Sequence, residues 1–172
     1  NDRRRDKAER ICRYKSGKYT IERPLHLGAV LAAPERAAEL LPALSAYGLP
    51  LGDAFQMRDD VMGAFGDESL TGKPVGGDLR EGKPTPLLAR AVDAASASQR
   101  TVLDSVGRPG LTDDEVAAIQ QVIVDTGALA DLEATITALT DEALNAIDKA
   151  TITDEARGEL VQLANYVSWR HV

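Results

Sequence analysis

The chain has 172 residues, 44% of them hydrophobic and 27% charged, which suits one globular domain or part of a larger one. Aromatics are only 4% while Ala and Leu abound, a balance that favours packed helices over strands. The net charge is −7, but residues 1–20 hold eight Lys/Arg against three Asp/Glu, leaving about −12 on the rest, and an acidic body with one basic end excludes a nucleic-acid-binding face along the chain.

In chain order, residues 2–18 read as a charged helix ending near Ser16-Gly17, with Pro24 preventing continuation. Residues 25–33 are apolar and predict a short buried helix. Pro34, with Glu35 and Glu39, opens a helix reaching about residue 65, with Leu40, Leu41, Leu44, Tyr47, Leu51, Phe55, Val61 and Met62 as core positions and bends at Pro42 and Pro50. Five glycines and three prolines then crowd residues 66–86, a loop long enough to suggest function. Helical patterning resumes over 87–106 and stops at Gly107, Pro109 and Gly110.

Thr112 to Glu115 is a capping-box start for a helix over 113–126. Beyond Gly127, Leu129, Leu132, Ile136, Leu139, Ala143 and Ile147 recur at spacings of three and four, one helical face. A last helix runs from a Thr153 cap to near Trp169. No segment alternates as a strand does and no internal repeat is present, so the expected class is all-α.

The single cysteine, Cys12, excludes an intrachain disulfide and points to a cytoplasmic setting. No apolar run approaches the ~20 residues of a membrane span, and residues 1–20 lack the apolar centre of a signal peptide. Asn1 stands where an initiator Met is expected, which predicts further sequence upstream.

Three clusters could carry chemistry. The strongest is Phe55-Gln56-Met57-Arg58-Asp59-Asp60-Val61-Met62-Gly63, followed by Gly66-Asp67. At helical spacing Gln56, Asp59, Asp60 and Gly63 share one face, and Asp67 joins them if the helix continues. Adjacent carboxylates are hard oxygen ligands suited to Mg²⁺. A solvated acidic face explains most Asp-Asp pairs, but this one lies between Phe55 and Val61, where an unpaired carboxylate is costly.

The second cluster is the glycine-rich loop from Gly72 and Lys73 through Asp78, Gly82, Lys83 and Thr85, able to bring backbone N–H groups and ammonium charges to an anion, or simply to connect helices. Gly77-x4-Gly82-Lys83 superficially matches a P-loop, but Pro84 replaces the hydroxyl residue and no strand precedes it. The third is Lys15-Ser16-Gly17-Lys18-Tyr19, which a frayed helix end with dipole-complementing lysines explains equally well. His26 reads as a satisfied core histidine and His171 as a tail residue. Two distant histidines and one cysteine do not make a zinc site, and no nucleophile elbow supports a serine hydrolase.

Taken in order, the clusters resemble the second half of the trans-isoprenyl diphosphate synthases, the polyprenyl synthetase family. Lys15-Ser16-Gly17-x-Tyr19 is similar to the family's Lys-Thr motif and Phe55-Gln56-x-x-Asp59-Asp60 to its second aspartate-rich motif. Gly72-Lys73-x-x-Gly76-x-Asp78-Leu79-x-x-Gly82-Lys83-x-Thr85 is similar to the loop that follows it. The resemblance implies residues 1–172 as the C-terminal half of one helical isoprenoid-synthase domain. Lys15 and Lys73 then grip an allylic diphosphate, and Gln56, Ser16 and Tyr19 stabilise the incipient carbocation. Asp59 binds one Mg²⁺ of a three-metal cluster, Asp60 and Asp78 orient its water shell or neighbouring lysines, and Lys83 and Arg170 shape or close the diphosphate sites.

It further implies condensation of isopentenyl diphosphate with an allylic diphosphate, geranylgeranyl-type, in a homodimer. Two departures stand out: Ser16 replaces the usual Thr, and Gly63 occupies a position where many members carry a third aspartate. The first aspartate-rich motif has no match; Asp113-Asp114 serves a helix cap, so this chain alone is expected to be inactive. Two other readings are a non-catalytic subunit of a heteromeric synthase and a class I terpene cyclase, whose second metal motif residues 59–67 do not match.

Overall fold

In a computed structural model, residues 5–66 and 75–169 are described. The described residues hold helices and no strand: α1 (Arg5–Cys12), a π-helical segment (Arg13–Glu22), α2 (Arg23–Ala32), a 3₁₀ turn (Pro34–Arg36), α3 (Ala37–Phe65), α4 (Gly77–Glu81), α5 (Pro86–Ala94), α6 (Ala97–Leu103), α7 (Asp113–Asp125), α8 (Ala128–Asp148) and α9 (Asp154–Trp169). Two compact units form, one from described residues 5–9, 59–66 and 75–134, the other from residues 10–58 and 135–169.

The second unit is built on the apolar faces that the periodicity marks. Leu40, Leu44, Tyr47 and Leu51 of α3 pack with Ala143 and Ile147 of α8 and Ala164 and Val167 of α9. The Tyr47 hydroxyl donates to the Leu160 carbonyl at 2.7 Å, so this aromatic is buried without an orphaned polar group. Burial holds the Tyr47 phenol above its ordinary pKa. Thr153 caps α9 through the Ala156 N–H, as its position suggests. Arg157 caps the preceding helix, its guanidinium donating to the carbonyls of Ile147, Asp148 and Ala150.

Three expectations need correction. The first helix does not stop at Ser16-Gly17; it widens into the π segment and continues into α2. In that register the Arg23 N–H bonds to the Lys18 carbonyl five residues back. The wider turn ends just before Pro24, which sits in the first turn of α2, where its missing N–H costs nothing. Residues 25–33 are not a buried helix: α2 has no buried residue, and Leu27 and Leu31 are 62% and 76% exposed. The helix expected over 87–106 is two, because Ala95 is extended and Ser96 forms a capping box with Gln99. By contrast, α3 runs unbroken past Pro42 and Pro50.

His26 of α2 is satisfied, as anticipated, by the Leu41 carbonyl at 3.1 Å and the Ser45 hydroxyl at 2.9 Å. That hydroxyl donates to Glu22 Oε1 at 2.8 Å, and Glu22 also pairs with Lys18 and Arg23 at 3.6 and 3.7 Å. Burial opposes the Glu22 charge, but the Ser45 hydrogen bond and the neighbouring cations outweigh it and leave its pKa below the ordinary value.

In the first unit, α5 and α6 pack on α7, and Leu87, Leu88, Leu103, Val116, Ile119 and Ile123 are fully enclosed. Arg90 of α5, 4% exposed, pairs with Asp131 at 2.8 Å and Glu9 at 3.3 Å. Thr85 caps α5 and Thr112 caps α7 with the capping box read from the sequence. Gly82 and Gly107 both have positive φ, +70° and +81°, and a Cβ on either would lie 2.8 to 2.9 Å from the other's Cα. The Gly107 N–H also bonds to the Leu79 carbonyl at 3.0 Å, pinning α4 in place.

Replacing either Gly82 or Gly107 by Ala therefore lowers the melting temperature, at a cost of roughly 1–3 kcal/mol from the left-handed conformation and backbone clash. An unchanged melting temperature in thermal denaturation removes this contact from the fold's requirements. Glu22→Gln tests the other unit. Because folding depresses the Glu22 pKa, its stabilising effect is present above the ordinary glutamate range and is lost as pH falls through it. The wild-type advantage in melting temperature should shrink between pH ~7 and ~3; a pH-independent gap refutes the assignment.

Candidate functional site

Helix α3 carries the aspartate pair near its C-terminal end. Asp60 is 2% exposed, whereas Asp59 is only partly enclosed. The glycine-rich segment supplies the counter-charge. Gly76 and Gly82, both left-handed, bound the five-residue helix α4. At Gly82 the chain folds back, and the Lys83 N–H bonds to the Asp78 carbonyl at 3.0 Å. That turn brings Lys83 Nζ to 2.7 Å from Asp78 Oδ2 and 3.1 Å from Asp60 Oδ1.

Burial alone would lower the Lys83 pKa, but the carboxylates of Asp60 and Asp78 outweigh it and hold the ammonium above the ordinary lysine value. Lys83 is therefore a fixed cation at neutral pH. With Asp59, the three carboxylates and one ammonium carry a formal −2, an acidic patch with an organised positive centre.

Carboxylates are hard oxygen donors of the kind that could hold Mg²⁺. Among the described residues no three His, Cys, Asp or Glu side chains gather as a metal-binding group. Mg²⁺ uses one or two carboxylates, keeps several waters and accepts substrate phosphate oxygens. Asp60 and Asp78 each give an oxygen to the lysine.

The third cluster, Lys15 to Tyr19, lies on the π segment of the other unit. Ser16 is buried, and its hydroxyl donates to Gln56 Oε1 of α3 at 2.5 Å. Two glycines allow this approach: a Cβ on Gly52 would collide with the Gly17 Cα and lie 3.0 Å from the Ser16 carbonyl. Arg13 to Asp53 at 2.6 Å and Cys12 Sγ to the Asp53 carbonyl at 3.6 Å secure the same crossing. Lys15 and Tyr19 are exposed, Tyr19 by 78%. The structure thus joins Ser16 with Gln56 and Lys83 with Asp60 and Asp78. Lys73, Asp67 and Arg170 lie outside the described residues.

Arg58, given no role in the reading of its cluster, is 9% exposed between Gln56 and the aspartate pair. Its Nε donates to the Ser168 carbonyl at 2.7 Å and its guanidinium lies 5.4 Å from the centroid of the Trp169 ring. The signal available was an arginine inside an apolar helical stretch, where a buried charge demands partners.

Comparison with known proteins follows the same residues. The model of the polyprenyl synthetase family matches residues 2–124. A geranylfarnesyl diphosphate synthase of Aeropyrum pernix is 35% identical over 143 residues, 83% of this chain and 43% of that protein. A (2E,6E)-farnesyl diphosphate synthase of Mycobacterium tuberculosis is 34% identical over 145 residues, 82% of this chain and 40% of that protein.

Among solved structures, the geranylgeranyl pyrophosphate synthase of Corynebacterium glutamicum, complexed with isoprenyl diphosphate and magnesium, superposes with a TM-score of 0.90 at 40% identity. The match covers 99% of this chain and 48% of that one. The chain spans about half the length of the relatives it matches. Its helices have the all-α isoprenoid-synthase fold, and the chain belongs to the polyprenyl synthetase family.

Proposed function

We propose that this chain forms the C-terminal half of a prenyltransferase domain that condenses isopentenyl diphosphate with an allylic diphosphate, geranylgeranyl-type. The observation that carries the reading is the lysine held between the Asp60 and Asp78 carboxylates beside Asp59, on a chain 40% identical to a solved geranylgeranyl pyrophosphate synthase. Mg²⁺ held by Asp59 would supply neutralising charge to a diphosphate leaving group.

The chain's own side chains do the rest. Lys15 and Lys73 bind the diphosphate as point charges. Asp60 and Asp78 keep Lys83 protonated and fixed, so its positive charge is in place before substrate arrives. As the allylic C–O bond breaks, the diphosphate leaves with the electron pair. The Ser16 hydroxyl donates a hydrogen bond to Gln56 Oε1, so the lone pairs of the Ser16 oxygen stay available to the allylic cation. Tyr19 contributes a second hydroxyl dipole. The double bond of isopentenyl diphosphate attacks the cation, and transfer of a proton from the new cation to the departed diphosphate completes the longer product. Arg170 helps close the diphosphate site.

The family resemblance extends this proposal to a cytoplasmic homodimer, and no described helix is long and apolar enough to cross a membrane.

In the full-length protein, Asp59→Ala should cut turnover by about two orders of magnitude, as expected on losing a metal ligand. A loss of under about threefold in steady-state assays removes Asp59 from the chemistry. Lys73→Ala should raise the apparent KM for the allylic diphosphate by about tenfold or more; an unchanged KM removes that lysine from the site. Chelating Mg²⁺ should abolish turnover and also abolish the rise in melting temperature produced by a bisphosphonate. Bisphosphonate protection that persists without metal argues against the Asp59–Mg²⁺ assignment.

A further inference from the structure

Helix α7 touches both parts of the acidic site. Asp113, Val116 and Gln120 follow one another at spacings of three and four and so share one face. At the start of that face Asp113 pairs with Arg80 of α4, Oδ1 to Nη2 at 2.5 Å. The same guanidinium donates to the Leu111 carbonyl. One turn on, Val116 abuts Gly76, the left-handed glycine that opens α4; a Cβ there would lie 2.5 Å from Val116 Cγ1. A further turn on, Gln120 Nε2 donates to the Ala64 carbonyl of α3 at 2.6 Å. A carbonyl oxygen only accepts, so the amide nitrogen is the group that faces it.

That carbonyl sits at a sensitive place. α3 ends at Phe65, and its last four carbonyls lack partners within the helix. The Gly66 N–H, just beyond the end, serves Met62 at 2.7 Å. Ala64 is 2% exposed, so its carbonyl is remote from bulk water and an unmet acceptor there is costly. In the helical register the Ala64 N–H closes on the Asp60 carbonyl, which makes Asp60 to Ala64 one turn. The negative end of the helix dipole thus falls beside the aspartate pair, and a donor at Ala64 offsets it.

We infer that Gln120 is a positioning residue: by holding the Ala64 carbonyl it fixes the turn of α3 that begins at Asp60, and through α7 it keeps that turn in place against the segment that carries Asp78 and Lys83. Its role in the chemistry rests on the proposed prenyltransferase function; its hold on the turn does not. Without the donor the last turn of α3 loosens. Asp59 and Asp60 then lose their fixed placement, and a metal held there binds less tightly.

The test compares the full-length native protein with Gln120→Leu, which keeps the bulk and removes the donor, and Gln120→Lys, which restores an N–H donor at a helix C-terminus. Thr153→Ala removes the cap of α9 in the other unit and serves as a control for lost stability. Hydrogen exchange with mass spectrometry reads the peptide spanning residues 59–66. Gln120→Leu should exchange there about fivefold faster than native or more, and Gln120→Lys within about twofold of native. Thr153→Ala should lower the melting temperature and leave that exchange unchanged. The Mg²⁺ concentration giving half of the bisphosphonate-induced rise in melting temperature should increase several-fold in Gln120→Leu alone. Its kcat at saturating Mg²⁺ should stay within about threefold of native, because added metal compensates for a looser site.

Native-like exchange in Gln120→Leu overturns the inference, as does a Gln120→Lys protein that exchanges as fast as Gln120→Leu. Faster exchange with an unchanged Mg²⁺ requirement overturns it too, leaving Gln120 a structural cap only. If Gln120→Leu does not fold, Gln120→Asn, whose amide falls one methylene short of the carbonyl, is read in its place. A native protein that neither turns over nor responds to Mg²⁺ and bisphosphonate defeats the prenyltransferase reading, and the exchange series then decides the hold on the turn alone.

Discussion

An ammonium shared between two carboxylates governs the acidic end of α3. Removing one partner of a buried charge pair leaves the other unsatisfied, at a cost that exceeds the worth of the contact itself. Asp60, at 2% exposure, takes its ion pair with Lys83 in such a setting. The surrounding backbone is arranged around this need. Left-handed Gly76 and Gly82 shorten α4 to five residues, and the Gly82–Gly107 contact holds the turn that returns Lys83 to α3. A glycine-rich segment that looks loose in composition is here conformationally committed at its described end.

The π segment solves a related problem in the other unit. Gly17 and Gly52 bring two backbones close enough for a short serine side chain to reach Gln56. The change from Thr to Ser relative to the family motif keeps the hydroxyl on which this contact depends. The buried Glu22 at the end of the segment is compensated by a hydroxyl and two cations. Polar groups thus tie the segment to α3, and apolar packing fills the space behind it.

Much of this was legible in the residues. The spacing of Leu132, Ile136, Ala143 and Ile147 marked the buried face of α8, and the Thr112 and Thr153 caps fixed where α7 and α9 begin. The aspartate pair was marked by its apolar surroundings. What could not be read depends on contacts between distant residues. The continuation through Ser16-Gly17 relies on Gly52, 35 positions away in sequence, and no local preference reports a π register. The meeting of Lys83 with Asp60 and Asp78 requires knowing which way the chain turns at Gly82. The apolar sequence of α2 states a preference for burial without naming what should cover it, and within the described chain Leu27 and Leu31 stay exposed.

The ring over the Arg58 guanidinium belongs to Trp169, the chain's single tryptophan. Its emission therefore carries no background from other indoles in this chain. It sits where the end of α9 meets the residue immediately before Asp59. Intrinsic fluorescence of this chain is in effect a spectroscopic label, placed by the fold itself, on the junction between the last helix and the aspartate-bearing one.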